Sequence, residues 1–257
     1  MHAADAEVRY LSETKRPPAD ASSKSTAEAR QERRTRYELI GLLALYLITL
    51  AVSLVKGQDV FIFAYIMTVV VAVGGPRRHG KPWSSIGIKT GFRADLRSVW
   101  WLAALDAIVF QILPPTVGIA FLLGYGQDLL AQITGRMPVD VASSAGLAAI
   151  GALLVVALVL TLVEELVFRA TFQERLSIYV GTPAAILTAA ILFGLAHAVG
   201  ATGSPQVVLL DVAGVVLDGI FFGIIYARTH NLMVTWATHY AADVVGAIAL
   251  VTVLRTV

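Results

Sequence analysis

Long apolar blocks, separated by short stretches rich in charge, glycine or proline, run through this chain from residue 39 to residue 254. They cover 39–55, 60–74, 98–123, 145–163 and onward, 184–199, 207–227 and 232–254. Each is on the scale of the roughly 17–25 residues an α-helix needs to cross hydrocarbon. No strand-like alternation accompanies them. The pattern predicts an all-α fold, a polytopic transmembrane helical bundle of about seven spans, or eight if a further crossing is counted. The second block is short and the third contains Pro114-Pro115, so a broken or re-entrant helix is expected there.

Composition sharpens this picture. Apolar residues make up 57% of the 257, which places the chain among membrane proteins. Eight of the twenty Lys and Arg residues fall at or before Arg36, and six more (Arg77, Arg78, Lys81, Lys89, Arg93 and Arg97) fall between the second and third blocks. The alternate loops hold few. Lys and Arg resist translocation, so this bias predicts a multi-pass protein of the cell membrane with a cytoplasmic N-terminus. Residues 1–36 lack apolar periodicity and read as a disordered, basic cytoplasmic tail, with 30–36 as a basic juxtamembrane helix that anionic lipid attracts. Residues 37–257 form the transmembrane domain, with its motif-bearing core at about 145–254. The block at 39–55 reads as a retained anchor rather than a cleaved signal. A net charge of +2 gives no sign of nucleic acid, and the basic residues are spent on topology. Without cysteine there is no disulfide, thiolate ligand or thiol nucleophile, so any chemistry uses carboxylate, imidazole or hydroxyl.

Five ionisable residues interrupt the C-terminal blocks: Glu164, Glu165, His197, His239 and Asp243. Charges in hydrocarbon are costly and usually mark function. They occur as Glu164-Glu165-Leu-Val-Phe-Arg169, Phe193-Gly-Leu-Ala-His197 and His239-Tyr-Ala-Ala-Asp243. Thr182-Pro183 reads as a helix start, so the chain turns near Gly181. Glu164 and His197 then both lie roughly 23–26 Å from that turn, level on an antiparallel hairpin. The hairpin requires the fourth helix to continue through Arg169 and Arg175. A second hairpin turns at 229–231. Within the first motif, Glu165 and Arg169 are i,i+4 with the acid first, the favourable order for a pair. Glu164 points about 100° away and has no local partner, which makes it the candidate general base. His239 and Asp243 share a helix face, so Asp243 is expected to orient the imidazole or to join it as a ligand. Asp211 and Asp218, seven apart on one face of the sixth span, are expected to be helix-interface or pathway-lining groups. Gly219-x-x-x-Gly223 fits close helix packing, and Trp83, Trp100 and Trp101 read as interfacial anchors.

The three motifs in this order resemble those of the CPBP intramembrane proteases, relatives of the Rce1-type CAAX prenyl endopeptidases. The segment Gly219-Ile-Phe-Phe-Gly223-Ile-Ile-Tyr226-Ala-Arg228-Thr229-His-Asn231-Leu232 is also similar to the family's approach to its last histidine motif, and Ser84-Ser-Ile-Gly87-Ile to its loop element. The resemblance implies an intramembrane endopeptidase that cleaves a membrane-associated, prenylated or unprenylated peptide or protein near the cytoplasmic leaflet. It implies that Glu164 activates water with His197 assisting, and that His239 and Asp243 stabilise the oxyanion or bind metal. Glu165, Arg169 and Phe193 are the implied supporting residues. One divalent ion, Zn²⁺ first, on His197, His239 and Asp243 is the implied cofactor in a metalloprotease reading; a metal-free glutamate mechanism stands beside it. CAAX-processing members carry Asn where this chain has Asp243, and an ionised carboxylate donates no hydrogen bond, whereas it is the better ligand for a hard cation. The motifs Gly-x-Ser-Gly and Gly-x-Gly-Asp of other intramembrane proteases are absent. A proton-coupled transporter or ion pathway also uses intramembrane acids and histidines, but no paired halves accompany them here. A catalytically idle scaffold is the remaining alternative.

Overall fold

The computed structural model describes residues 19–56, 58–78, 82–112, 114–135, 143–201 and 203–256, and all secondary structure among them is helical. The expected tail up to residue 18 lies outside the described residues. The elements are α1 (Ala19–Lys56), α2 (Gln58–Arg78), a 3₁₀ turn (Trp83–Ile86), α3 (Phe92–Asp106) continued by a π-helical segment (Ala107–Ile112), α4 (Pro115–Leu122) and α5 (Gly126–Gly135). They are followed by α6 (Ser144–Glu165), continued by a second π segment (Leu166–Gln173) and α7 (Glu174–Val180), then α8 (Thr182–His197), α9 (Pro205–Thr229) and α10 (Leu232–Thr256). The chain divides at Ala44 into two compact units. In the first, α1 extends back to Ala19, into the segment read as tail, and Arg34 Nε donates to Glu38 at 3.1 Å on its exposed surface. The second unit, Leu45–Val257, holds all three motifs.

Five helices among the described residues are long and apolar enough to cross a membrane: Ala29–Lys56, Phe92–Leu122, Gly146–Val180, Pro205–Thr229 and Leu232–Thr252. The expected count of seven is therefore not reached by length and composition. The block at 184–199 becomes a helix of only 16 residues, Thr182–His197, which at 1.5 Å per residue spans roughly 24 Å, short of the ~30 Å hydrocarbon core. The block at 60–74 lies in α2 and is not among the five. The apolar side chains Val155, Val159 and Leu160 on α6 are exposed, as a bilayer-facing surface requires. So are Trp83, Trp100 and Trp101, the expected anchors.

The hairpin about Gly181 forms as expected. Helix α6 runs unbroken through its π segment and α7 to Val180, and the chain reverses at Gly181, whose φ of 79° is the left-handed region that glycine tolerates. The start of α8 differs from expectation. Gly181 occupies the capping position, no side chain caps it, and a proline in the first turn needs no donor there. The second reversal falls at His230, with φ 46°. Asn231, fully buried, then starts α10: its Oδ1 accepts from Met233 N at 3.2 Å and its Nδ2 donates to Asp95 Oδ2 at 2.8 Å. Leu232 N donates to the Gly87 carbonyl at 2.7 Å, so the Ser84–Ile88 loop element packs on the start of the last helix. Gly87 must be glycine here, because its φ is 81° and a Cβ would lie 3.1 Å from Leu232 Cβ.

Helices α8 and α9 pack most closely of all. A Cβ on Gly219 would meet Ala190 Cα at 3.1 Å and Phe193 Cδ1 at 3.2 Å; one on Gly223 would meet Ile186 Cγ2 at 2.8 Å; one on Gly194 would meet the Val212 carbonyl at 3.0 Å. The Gly219-x-x-x-Gly223 stripe is thus a helix contact, as its spacing suggests. A separate core of Val99, Leu102, Phe222, Ile225, Val234 and Ala242 joins α3, α9 and α10. Gly219→Val should destabilise the protein by about 1–3 kcal/mol through overpacking, read as a lower melting temperature in detergent. Gly151→Val is the control, because nothing lies within 4 Å of its added Cβ.

Candidate active site

The first reversal decides which residues of α6 and α8 face each other. Phe168 and Phe193 lie nearly equidistant from Gly181, and their rings meet edge-on with centroids 5.1 Å apart. Continuing outward brings Glu164 and Glu165 to the depth of His197. Helix α10 enters the same layer through His239, whose ring stacks on Phe222 of α9 at 4.4 Å and 24° and meets Phe193 edge-on at 5.6 Å. Phe193 also touches His197 edge-on at 4.8 Å. One aromatic ring, that of Phe193, therefore contacts both motif histidines and lies between them.

Polar contacts fix the imidazole of His239. Its Nδ1 lies 2.8 Å from Glu165 Oε1. An ionised carboxylate only accepts, so the proton is assigned to Nδ1, and Nε2 is left facing Glu164 Oε2 at 3.8 Å and Asp243 Oδ1 at 4.0 Å. Glu165, rather than Asp243, therefore orients the ring. Asp243 lies on the opposite edge, with Glu164. The expected pair of Glu165 and Arg169 also forms, with Oε2 3.3 Å from Nε and both side chains almost wholly buried. The backbone there differs from expectation, because the π segment begins at Leu166 and Thr171 Oγ1 donates back five residues to the Leu166 carbonyl at 2.8 Å. Isolated π turns occur frequently at functional sites. Arg169 lies over the rings of Phe193 at 5.4 Å and Phe222 at 5.9 Å, so part of its charge is met by aromatic faces.

Exposure separates these groups. The side chains of Glu165, Arg169 and His239 are at most 5% exposed, whereas Glu164 is 22% and Asp243 39% exposed. The anchoring residues are sealed, and the two carboxylates facing Nε2 are accessible. His197, at the end of α8, sets its Nδ1 3.0 Å from the Phe193 carbonyl. A carbonyl only accepts, so this ring too is assigned its proton on Nδ1.

Several neighbours were not singled out from the sequence. Phe222 sits between the two packing glycines of α9, and its flat contact with His239 depends on their fit. Tyr46 donates to the Leu192 carbonyl at 2.7 Å, one residue before Phe193, and both Tyr46 and Tyr65 lie within reach of the charge of Glu164. Gln173 Nε2 donates to the Gly223 carbonyl at 2.8 Å and ties the end of the π segment to α9. Asp218 accepts from Gln111 at 3.1 Å and Asp211 from Gln132 at 3.0 Å; both are helix-interface groups, as their common face suggested.

Residues 146–245 match the family model described as type II CAAX prenyl endopeptidase Rce1-like. This segment belongs to the Rce1-like family. The match encloses all three motifs and ends two residues after Asp243. No curated protein and no solved structure matches the chain. The Rce1-like domain can be tested for the metal its family resemblance implies. Among the described residues, no three or more His, Asp or Glu side chains are grouped so as to hold a metal ion. Glu165 is taken up by Arg169 and His239. The side chains as arranged do not make the expected centre of His197, His239 and Asp243, and no chemical step is derived through a metal. Truncating one partner of the buried pair, as in Arg169→Met, should cost about 3–5 kcal/mol. Combining it with Glu165→Gln should recover part of that loss, as thermal unfolding of the single and double variants will show.

Proposed function

We propose that the protein is an intramembrane endopeptidase that hydrolyses a peptide bond of a membrane-associated substrate, with Glu164 as the base that activates water. The observation that carries this reading is the seating of His239, whose Nδ1 is held by Glu165 while Nε2 faces the accessible carboxylates of Glu164 and Asp243 at 3.8 and 4.0 Å. Such separations exceed a direct hydrogen bond and suit groups that share a water. Glu164 removes a proton from that water as its oxygen bonds to the scissile carbonyl carbon. The carbon–nitrogen bond then breaks, and the same proton passes from Glu164 to the leaving amine. In either histidine Nδ1–H is engaged, so Nε2 donates to the tetrahedral oxyanion only from an imidazolium ring, and Glu165 supplies the counter-charge for that form of His239. Asp243, as a carboxylate, accepts from the water rather than donating to the oxyanion.

The family description supports a CAAX-type prenylated peptide as the substrate class. The Lys and Arg distribution supports cleavage near the cytoplasmic leaflet of the cell membrane, with the N-terminus in the cytoplasm. Glu164→Gln should lower cleavage of a quenched prenylated peptide by on the order of 10²–10⁴-fold, the usual worth of a general base, with the melting temperature unchanged. Wild-type turnover by this variant would overturn the assignment. Elemental analysis of the same samples tests the metal-free form of the mechanism. Activity that survives removal of divalent ions supports it, and a stoichiometric ion whose loss abolishes cleavage overturns it.

A further inference from the structure

A second polar cluster lies beside these groups and takes no part in the reaction as described. Asp106 is the last residue of α3 before its π segment. It is 1% exposed, and neither carboxylate oxygen has a hydrogen-bond partner among the described residues. The ionisable groups whose charge reaches it from the two helices packed on α3 are Asp218 of α9 and His239 and Asp243 of α10. Asp218 accepts from Gln111 Nε2 through Oδ2, while its Oδ1 is likewise buried without a partner among the described residues. The amide oxygen of Gln111 lies against α10 at Gly246, where an added Cβ would stand only 2.7 Å from it. Three carboxylate oxygens from two helices are therefore enclosed, within reach of the charge of His239, with no hydrogen-bond partner among the described residues.

Buried polar atoms left without partners are costly, and the usual resolution is ordered water, each molecule taking about three such partners. A metal ion is the weaker occupant, since no three acidic or histidine side chains among the described residues are grouped to hold one. A water store also fits what hydrolysis demands, because each turnover consumes one water at Glu164, which is only partly exposed and set among largely apolar helices. We infer that Asp106, Gln111 and Asp218 form a water-holding site in the helix interior that opens toward His239 and Asp243 and replaces the water used at Glu164. The inference rests on the proteolytic reading for the use of the site, not for its existence.

Hydroxyl-radical footprinting of the full-length protein in detergent reads the two separately, because radicals made from internal water label the side chains beside it. Leu102 and Phe222 belong to the core that joins α3, α9 and α10 and are 5% and 2% exposed, so bulk solvent does not label them; the fully buried Phe172 is the dry reference. In the wild type, Leu102 and Phe222 should label well above Phe172. Asp106→Leu should remove that excess and lower kcat about tenfold with KM unchanged. Asp106→Asn, which still binds water, should restore both. Labelling no greater than at Phe172, or unaltered by Asp106→Leu, would overturn the inference, and the wild-type comparison decides even if the leucine variant fails to fold. A labelled site in a protein that cleaves nothing would keep the water store and sink the protease; a dry site in an active protease would do the reverse.

Discussion

A single buried carboxylate holds the centre of this protein together. Glu165 gives one oxygen to the imidazole of His239 and the other to the guanidinium of Arg169, so it links α6 to α10 and fixes the first turn of the π segment. Taking an ion pair out of water is expensive, and burial of this kind does not by itself raise stability. What it supplies is orientation. With Nδ1 committed to Glu165, the other face of the ring has one available direction, toward Glu164 and Asp243. Adjacent glutamates in the sequence thus have opposite surroundings, and the difference arises from the helical rotation between them: one is sealed, the other partly exposed.

The backbone makes room for this arrangement in two places, both departures from α-helix. The segment Leu166–Gln173 carries Arg169 and Gln173 into the bundle, and Ala107–Ile112 carries Gln111, just after Asp106. A π turn widens the helix by about one residue per turn and displaces side chains from the rows that α-helical packing would give. In each case the polar residue brought inward finds a partner on α9, Gln173 at the Gly223 carbonyl and Gln111 at Asp218. Helix α9 can serve both because Gly219 and Gly223 let it lie against α8, which in turn brings Phe222 flat onto His239.

Much of this was legible in the sequence, because helical rise and period are nearly constant. The reversal at Gly181, the pairing of Glu165 with Arg169 and the glycine contact on α9 all follow from counting residues along straight helices. What counting misses is of three kinds. A π turn has no distinct composition, so the register after Leu166 was not visible. Periodicity names neighbours on the same helix, which favoured Asp243 as the partner of His239, when the nearer group is Glu165 on another helix. Asp106 belongs to no motif, yet an acid alone in an apolar block is itself a signal. The span count exceeded what length supports because apolar composition alone does not distinguish a crossing helix from the 16-residue arm of a hairpin.

The contact between Gly87 and Leu232 reaches beyond local packing. The last helix begins on a carbonyl supplied from nearly 150 residues earlier in the chain, and its first buried side chain, Asn231, is held by Asp95 from the same early region. Both acceptors that give this support lie ahead of residues 146–245, the stretch that carries the family likeness. The last helix of the motif-bearing half is therefore braced from outside that half. His239 thus enters its layer on a helix whose start is set by an earlier loop, so a change at Gly87 or Asp95 is transmitted to the imidazole through the seating of α10.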